Sequence, residues 1–131
     1  MAYSFDNISI KKDGNRIFPI MGEIHYSRVP RAEWSERLLK MKAGGVTIVS
    51  AYVIWIHHEE IEGEYDWSGD RDLHGFVQTL KECGMKMLLR IGPWCHGEAR
   101  NGGFPDWLLH KDYEPRTNDE KYFAVVQKWY K

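Results

Sequence analysis

The sequence predicts an α/β protein with a parallel β-sheet, and three observations support this. Strand-like and helix-like segments alternate along the chain. The strand-like segment 47–54 is apolar on both faces, and 85–91 is expected to be the next buried strand. Neither a repeat nor a shift in composition divides the 131 residues. Parallel strands that are covered by helices on both sides have this continuous apolar character. We therefore expect one parallel sheet with its crossover helices.

A hairpin is predicted near the N-terminus, ahead of the parallel sheet. Residues 8–20 form two short strand-like segments on either side of Asp13 and Gly14. An Asp-Gly pair favours a two-residue hairpin turn, because both of its positions tolerate a positive φ. The first strand of the parallel sheet is expected at about residues 19–25, directly after this hairpin.

Two helices are predicted between the parallel strands, and a third is predicted after them. The first helix follows Pro30, which suits the first turn of a helix, and it ends at Gly44. The second spans about residues 70–83, and the third begins near Asn118. Each has apolar residues at the spacing of one helical face.

This pattern amounts to about three βα units preceded by a hairpin. A complete (β/α)₈ barrel needs about 250 residues, so three units would form only its N-terminal portion. A small doubly wound sheet is the structural alternative. The sequence has no glycine-rich phosphate loop after the first strand, which disfavours a nucleotide enzyme of that type.

Composition and charge exclude several classes of partner. The net charge is −1, with basic and acidic residues interspersed, so nucleic acid is not an expected partner. No apolar run approaches the roughly 20 residues that cross a bilayer. Cys83 and Cys95 form neither a disulfide framework nor a paired metal motif. We expect a soluble protein with no cofactor, no metal and no membrane partner.

Polar and aromatic residues follow each predicted strand. In parallel α/β folds the carboxyl ends of the strands meet at one rim, where function gathers. Aromatic faces and charged groups together suit a polar ligand such as a sugar. The residues at this predicted rim are His25, Tyr26, Arg28, Tyr52, Trp55, His58, Glu59, Trp94, His96, Glu98, Arg100 and Asn101.

Five motifs lie along nearly the whole chain, at residues 22–28, 51–59, 90–94, 98–108 and 116–117. Together they are far more specific than any one of them alone. They resemble the motifs of the β-galactosidases of glycoside hydrolase family 35, and they occur in the order in which the family has them.

The resemblance implies a (β/α)₈ barrel that hydrolyses terminal β-D-galactosides with retention. It places the acid/base Glu after the fourth strand and the nucleophile Glu after the seventh. Residues 1–131 would then be a partial barrel domain that stops before strand 4, with no catalytic residue of its own. The compartment of the parent protein stays open among a secreted, a periplasmic and a lysosomal location.

The resemblance also implies which residues bind the sugar. Tyr52 matches a family tyrosine that binds galactose hydroxyls, and Gly97 and Glu98 match a loop Ala-Glu pair that lines the pocket. His96 occupies the place that the family usually gives to a cysteine. Ile56 departs from the usual Asn, so the identity of the sugar and its linkage stay open.

Each of these assignments has a structural alternative. Tyr52 could be a core tyrosine whose hydroxyl is satisfied within the protein. Glu98 could pair with a nearby arginine, for which Arg28, Arg90 and Arg100 are the candidates. A non-catalytic carbohydrate-binding barrel, or a self-sufficient α/β domain without a sugar role, would account for the same residues.

Further expectations concern residues beside the predicted pocket. Trp94 is either a stacking platform or part of the barrel wall. Arg28 and Arg90 are expected to brace the barrel through carboxylates such as Glu23, and residues 59–64 to form a solvated loop. Unpaired apolar strand edges would favour self-association. A zinc site is disfavoured because the spacing of its candidate ligands follows no zinc motif. Those candidates are His57, His58, Glu59, Cys95 and His96.

Overall fold

A computed structural model describes residues 2–131, which begin with an antiparallel sheet. This sheet has the order β1 (Tyr3–Phe5), β2 (Ile10–Lys12) and β3 (Asn15–Ile17). Asp13 and Gly14 connect β2 to β3 with φ values of 49° and 81°. The predicted hairpin is therefore confirmed. Strand β1 extends it by pairing with β2, which the sequence did not predict.

A second sheet contains three parallel strands, as predicted. They are β4 (Met21–Glu23), β5 (Ile48–Tyr52) and β6 (Lys86–Arg90), in that spatial order. Each strand is shorter than its predicted segment. Strand β5 lies in the middle, where its residues pair with both neighbours, and it is the best buried of the three. The apolar run of this strand thus reflects its central position.

Three ten-residue helices accompany the parallel strands. They are α1 (Trp34–Ala43), α3 (Leu73–Glu82) and α5 (Glu120–Trp129). Two four-residue helices, α2 (Trp55–His58) and α4 (Asp106–Leu109), were not predicted. A single helical turn is too short to show helical periodicity in a sequence.

Side-chain caps define where α3 and α5 begin. The Asp72 carboxylate accepts a hydrogen bond from the Gly75 backbone N–H at 2.7 Å. The Asp119 carboxylate accepts one from the Lys121 N–H at 2.8 Å. These bonds satisfy N–H groups that have no partner within the first helical turn.

The main core lies between the parallel sheet and helices α1 and α3. It is centred on an aromatic group in which the Tyr26 ring stacks on Phe76, with 5.4 Å between ring centres. Trp34 meets Phe76 edge to face at 5.3 Å. Leu38 and Val49 are fully buried beside them. Rings in these arrangements contribute about 0.5–1.5 kcal/mol per pair beyond their burial.

A second core lies between α2, α4 and α5. Trp55 is buried at its centre and stacks on Trp129 with 5.1 Å between ring centres. Phe104 and Tyr122 complete the packing. The Trp129 indole N–H donates to the Ile91 carbonyl at 2.9 Å, which ties α5 to the end of β6.

Strand β6 forms one edge of the parallel sheet. Leu88, Leu89 and Ile91, at and just beyond this edge, are each more than two-fifths exposed. Continuation of the sheet into a barrel remains a prediction. No helix within residues 2–131 has the length and apolar character to span a bilayer.

Candidate functional site

Four residues in or just beyond the three parallel strands form a closed ring of contacts at the carboxyl end of the sheet. The Tyr52 backbone N–H donates to His25 Nδ1 at 3.2 Å. His25 Nε2 lies 3.2 Å from Glu23 Oε1, and Arg90 forms an ion pair with Glu23 Oε2. The Arg90 guanidinium carbon lies 3.7 Å from the centre of the Tyr52 ring. The predicted brace between Arg90 and Glu23 is confirmed.

The contacts of His25 determine its protonation state. A backbone N–H can only donate, so Nδ1 must be the unprotonated acceptor. Nε2 then carries the proton and donates to the Glu23 carboxylate. Burial lowers the pKa of His25 below its ordinary value of 6.5, and this outweighs the opposing effect of Glu23. His25 is therefore neutral at pH 7.

The Tyr52 hydroxyl has no hydrogen-bond partner within residues 2–131, although the residue is only 6% exposed. The hydroxyl oxygen itself is not fully buried, so it can be reached from outside the protein. Tyr26 differs, because its hydroxyl lies 2.7 Å from His58 Nε2 inside the core. The alternative in which Tyr52 is a core tyrosine with a satisfied hydroxyl therefore lacks support.

The loop after β6 lies beside this ring. Cys95 is buried and packs with Tyr52 and Ile54. Its backbone N–H donates to the Gly102 carbonyl at 2.7 Å, which closes the loop on itself. A methyl group at Gly97 would lie 3.6 Å from His25 Nε2. The structure thus places Gly97 next to His25, within the group of residues that contact Tyr52.

His96 and Glu98 flank Gly97, and both are exposed. Within residues 2–131, Glu98 takes part in no hydrogen bond or ion pair, and neither residue bonds to Tyr52. Two of the arginines that could have been structural partners of Glu98 are committed elsewhere. Arg90 pairs with Glu23, and Arg100 pairs with Asp106 at 2.9 Å.

Trp94 is built into the wall of the loop. Its ring meets Phe104 edge to face at 5.4 Å, and the Arg116 guanidinium carbon lies 4.4 Å from its centre. Gly102 lies so close that a Cβ atom there would overlap the indole. These contacts favour the interpretation of Trp94 as part of the wall over its interpretation as a stacking platform for a ligand.

The prediction that residues 59–64 form a solvated loop is wrong for Glu59. Glu59 is only 4% exposed. Its carboxylate accepts the Trp55 indole N–H at 2.6 Å and the Gly63 backbone N–H at 2.8 Å. Burial of a carboxylate requires such donors. Residues 60–64 are exposed, as expected.

His57 and His58 have structural partners. His57 Nδ1 lies 2.7 Å from the Ser27 hydroxyl. His58 Nδ1 lies 3.0 Å from the Asp66 carbonyl, which can only accept, so His58 carries its proton on Nδ1. Nε2 then accepts from the Tyr26 hydroxyl. Burial lowers the pKa of His58 to about 4.

A comparison with protein families identifies the chain. The model for glycosyl hydrolases family 35 matches residues 9–131. The chain belongs to this family. The resemblance seen in the sequence motifs is thus confirmed, and the parallel strands with their crossover helices are consistent with the barrel of the family.

Relatives of known activity extend the comparison. The β-galactosidase of Macaca fascicularis is 44% identical over 130 residues, which cover 98% of this chain and 19% of that protein. Human β-galactosidase is 44% identical over 128 residues, 97% of this chain and 19% of that protein. The exo-β-D-glucosaminidase of Pyrococcus horikoshii is 42% identical over 118 residues, 87% of this chain and 15% of that protein. The chain spans less than a fifth of the length of these curated relatives.

Proposed function

We propose that the full-length protein hydrolyses terminal β-D-galactosides with retention, and that this chain supplies part of its sugar pocket. Family membership and the β-galactosidase relatives support the reaction class. The observation that carries the proposal is the state of Tyr52. Its backbone and ring are held by His25 and Arg90, whereas its hydroxyl is left without a partner within residues 2–131.

The proposed residues would bind the sugar in different ways. The Tyr52 hydroxyl can both donate to and accept from a sugar hydroxyl. Glu98 provides an unpaired carboxylate acceptor, and His96 a second polar group on the same loop. Gly97, without a side chain, allows the backbone to approach the ligand closely. A protein-to-sugar bond that strengthens in the transition state increases the rate as well as the affinity.

The proposed chemistry is the two-step displacement of retaining glycosidases. One carboxylic acid protonates the leaving oxygen while a carboxylate about 5–5.5 Å away attacks the anomeric carbon. Water then cleaves the glycosyl-enzyme, with the first residue acting as base. In the family these two groups follow the fourth and seventh strands, so the present residues would bind and orient the sugar.

A second substrate class is a β-D-glucosaminide. The relative from Pyrococcus horikoshii is an exo-β-D-glucosaminidase. The unpaired Glu98 carboxylate supports this candidate, because the ammonium group of a glucosamine would form a charge-assisted hydrogen bond with it. In a glucosaminide Glu98 would pair with an ammonium group, whereas in a galactoside it would accept a hydrogen bond from a hydroxyl group.

The test uses the full-length protein with chromogenic β-galactoside and β-glucosaminide substrates. We expect turnover of the galactoside, with the β-anomer of galactose as the first product seen by NMR. Tyr52→Phe should lower kcat/KM roughly 5- to 100-fold, the effect of one or two lost hydrogen bonds. Tyr3→Phe is the matched control, because Tyr3 lies on β1 in the other sheet. Absence of turnover on both sugars would reject the proposal.

A further inference from the structure

The backbone N–H of Tyr52 has an unusual partner for a residue in a parallel sheet. Tyr52 is the last residue of β5, whereas β4 already ends at Glu23, opposite Ser50. The neighbouring strand thus offers no paired residue at the level of Tyr52. The His25 ring, just beyond β4, fills this position and accepts the N–H at 3.2 Å.

The Tyr52 side chain is held by a second contact from the opposite neighbour. Arg90 is the register partner of Tyr52 on β6, and its guanidinium carbon lies 3.7 Å from the Tyr52 ring centre. A guanidinium over an aromatic face is an attractive arrangement that restricts the ring. His25, just beyond β4, therefore holds the Tyr52 backbone, and Arg90 on β6 holds the Tyr52 ring.

Glu23 couples these two contacts. One of its carboxylate oxygens lies 3.2 Å from His25 Nε2, and the other pairs with Arg90. As an acceptor it favours the His25 tautomer whose Nδ1 is free to accept the Tyr52 N–H. As a counter-ion it keeps the Arg90 guanidinium in place over the ring.

We propose that Glu23, His25 and Arg90 are positioning residues that orient Tyr52 toward the sugar, and that His25 does so only in its neutral form. This inference rests on the proposed function, because it assumes that Tyr52 binds the substrate. It adds a specific requirement: the affinity for the sugar depends on His25 Nδ1, which acts through the Tyr52 backbone N–H that it accepts.

Protonation of His25 would remove that acceptor. A proton on Nδ1 would face the Tyr52 N–H, two donors would oppose each other, and the end of β5 would have to shift. The partial burial of His25 and the positive charges nearby disfavour this protonation, whereas Glu23 favours it. The titratable or charged groups that face His25 are Glu23, Arg28, Tyr52, His57 and Arg90. Cys95 lies nearby, because a methyl group at Gly97 would contact both Cys95 and His25.

The decisive variant is His25→Asn in the full-length enzyme. The Asn side-chain oxygen can take the place of Nδ1 as the acceptor, but it does not titrate. In the wild type, KM for a β-galactoside should rise as the pH falls through the titration of His25. In His25→Asn this rise should disappear, with KM at pH 7 within about threefold of the wild-type value.

Two further variants separate positioning from folding. His25→Phe keeps a ring but has no acceptor, so its KM should be roughly fivefold above the wild-type value at pH 7, the effect of one lost hydrogen bond, and should not rise further as the pH falls. Glu23→Gln should also raise KM. The melting temperature should change little, because the ion pair between Glu23 and Arg90 is partly exposed. His74→Asn is the control, since His74 is an exposed residue on α3 and should behave as the wild type.

A second measurement does not depend on turnover. Nitrogen NMR of the imidazole should show Nδ1 of His25 unprotonated at pH 7, and the Tyr52 amide signal should titrate together with the ring. A protonated Nδ1 at pH 7, or a KM profile of His25→Asn that matches the wild type, would overturn the inference. Absence of turnover by the wild type would instead reject the proposed function, and the NMR result would then decide the inference on its own.

Discussion

The Tyr26 hydroxyl and His58 Nε2 lie 2.7 Å apart in the core, and both residues are at most 1% exposed. His58 also donates from Nδ1 to the Asp66 carbonyl at 3.0 Å. The neutral ring is thus satisfied at both nitrogens, whereas a protonated ring would place a positive charge in the buried core. The pKa of His58 is lowered to about 4, chiefly by burial.

This relationship predicts that the folded chain loses stability in acid. The unfolded chain takes up a proton on His58 near pH 6.5, and the folded chain does so only near pH 4. The contribution is therefore complete above about pH 6.5 and is lost as the pH falls toward 4. It amounts to about 3 kcal/mol in the free energy of unfolding. Urea denaturation of the chain at several pH values measures it.

Single variants separate His58 from its neighbours. The pKa values of His25 and His57 are also lowered, chiefly by burial, so these residues contribute to the loss with the same sign. His58→Gln should remove most of the dependence of the free energy of unfolding on pH, whereas His74→Gln should leave this dependence unchanged. NMR titration of the wild type provides a second measure, and a His58 pKa near 6.5 would contradict the prediction.

A glycine beside Trp94 gives a second prediction. Gly102 has a φ of 62°, and a Cβ atom there would overlap the Trp94 indole. Gly14 has a φ of 81° but has no atom within 4 Å of such a Cβ. Gly14→Ala should therefore cost only the backbone strain, about 1 kcal/mol. Gly102→Ala should cost about 2–4 kcal/mol, because it adds steric overlap.

The two alanine variants are compared by urea denaturation under one condition. Their difference isolates the overlap with Trp94, because both share the strain of a positive φ. Equal losses of stability would show that the indole moves aside freely, and that this part of the loop is not tightly packed.

Much of the fold could be predicted because its signals are local. Strand β5 carries apolar residues on both faces, and Val49 and Ala51 are indeed fully buried. The Asp-Gly turn gave the hairpin of β2 and β3. Strand β1 was missed because its three residues are all exposed and show no burial pattern.

The candidate site could be predicted only in part, because its contacts depend on strand register. The contact between His25 and the Tyr52 backbone exists because β4 ends two residues before the level of Tyr52, which a sequence pattern does not reveal. The burial of Glu59 has a local signal, since Trp55 lies one helical turn earlier. This signal could not be used from the sequence, because the short helix α2 that brings Trp55 and Glu59 together was not predicted.

Glu98 provides a third prediction, on the full-length protein. Glu98→Gln keeps the shape of the side chain but removes a charged acceptor, so kcat/KM for a β-galactoside should fall roughly 10- to 100-fold. Folding should be intact, because Glu98 is exposed and forms no ion pair within residues 2–131. Glu82→Gln, at the end of α3, is the matched control. Unchanged kcat/KM would make Glu98 a structural or surface residue.

The last prediction concerns the 131-residue chain on its own, which we expect to hydrolyse no glycoside. Retention needs two carboxyl groups about 5–5.5 Å apart, one to attack and one to donate a proton. Three carboxylates lie near the strand ends. Glu23 is paired with Arg90 and bonded to His25, and Glu59 is buried with both oxygens bonded. Glu98 alone of the three is unpaired, and one carboxylate cannot serve both roles.

The assay incubates the purified chain with a chromogenic β-galactoside and follows release of the dye. Glu98→Gln, purified in parallel, is the control for a contaminating host enzyme, because contamination would give the same rate in both preparations. The exposed apolar edge at Leu88 and Leu89 should favour self-association, which sedimentation measures in the same samples. Turnover by the chain that disappears in Glu98→Gln would contradict the prediction, since it would show that Glu98 belongs to a catalytic centre contained within these residues.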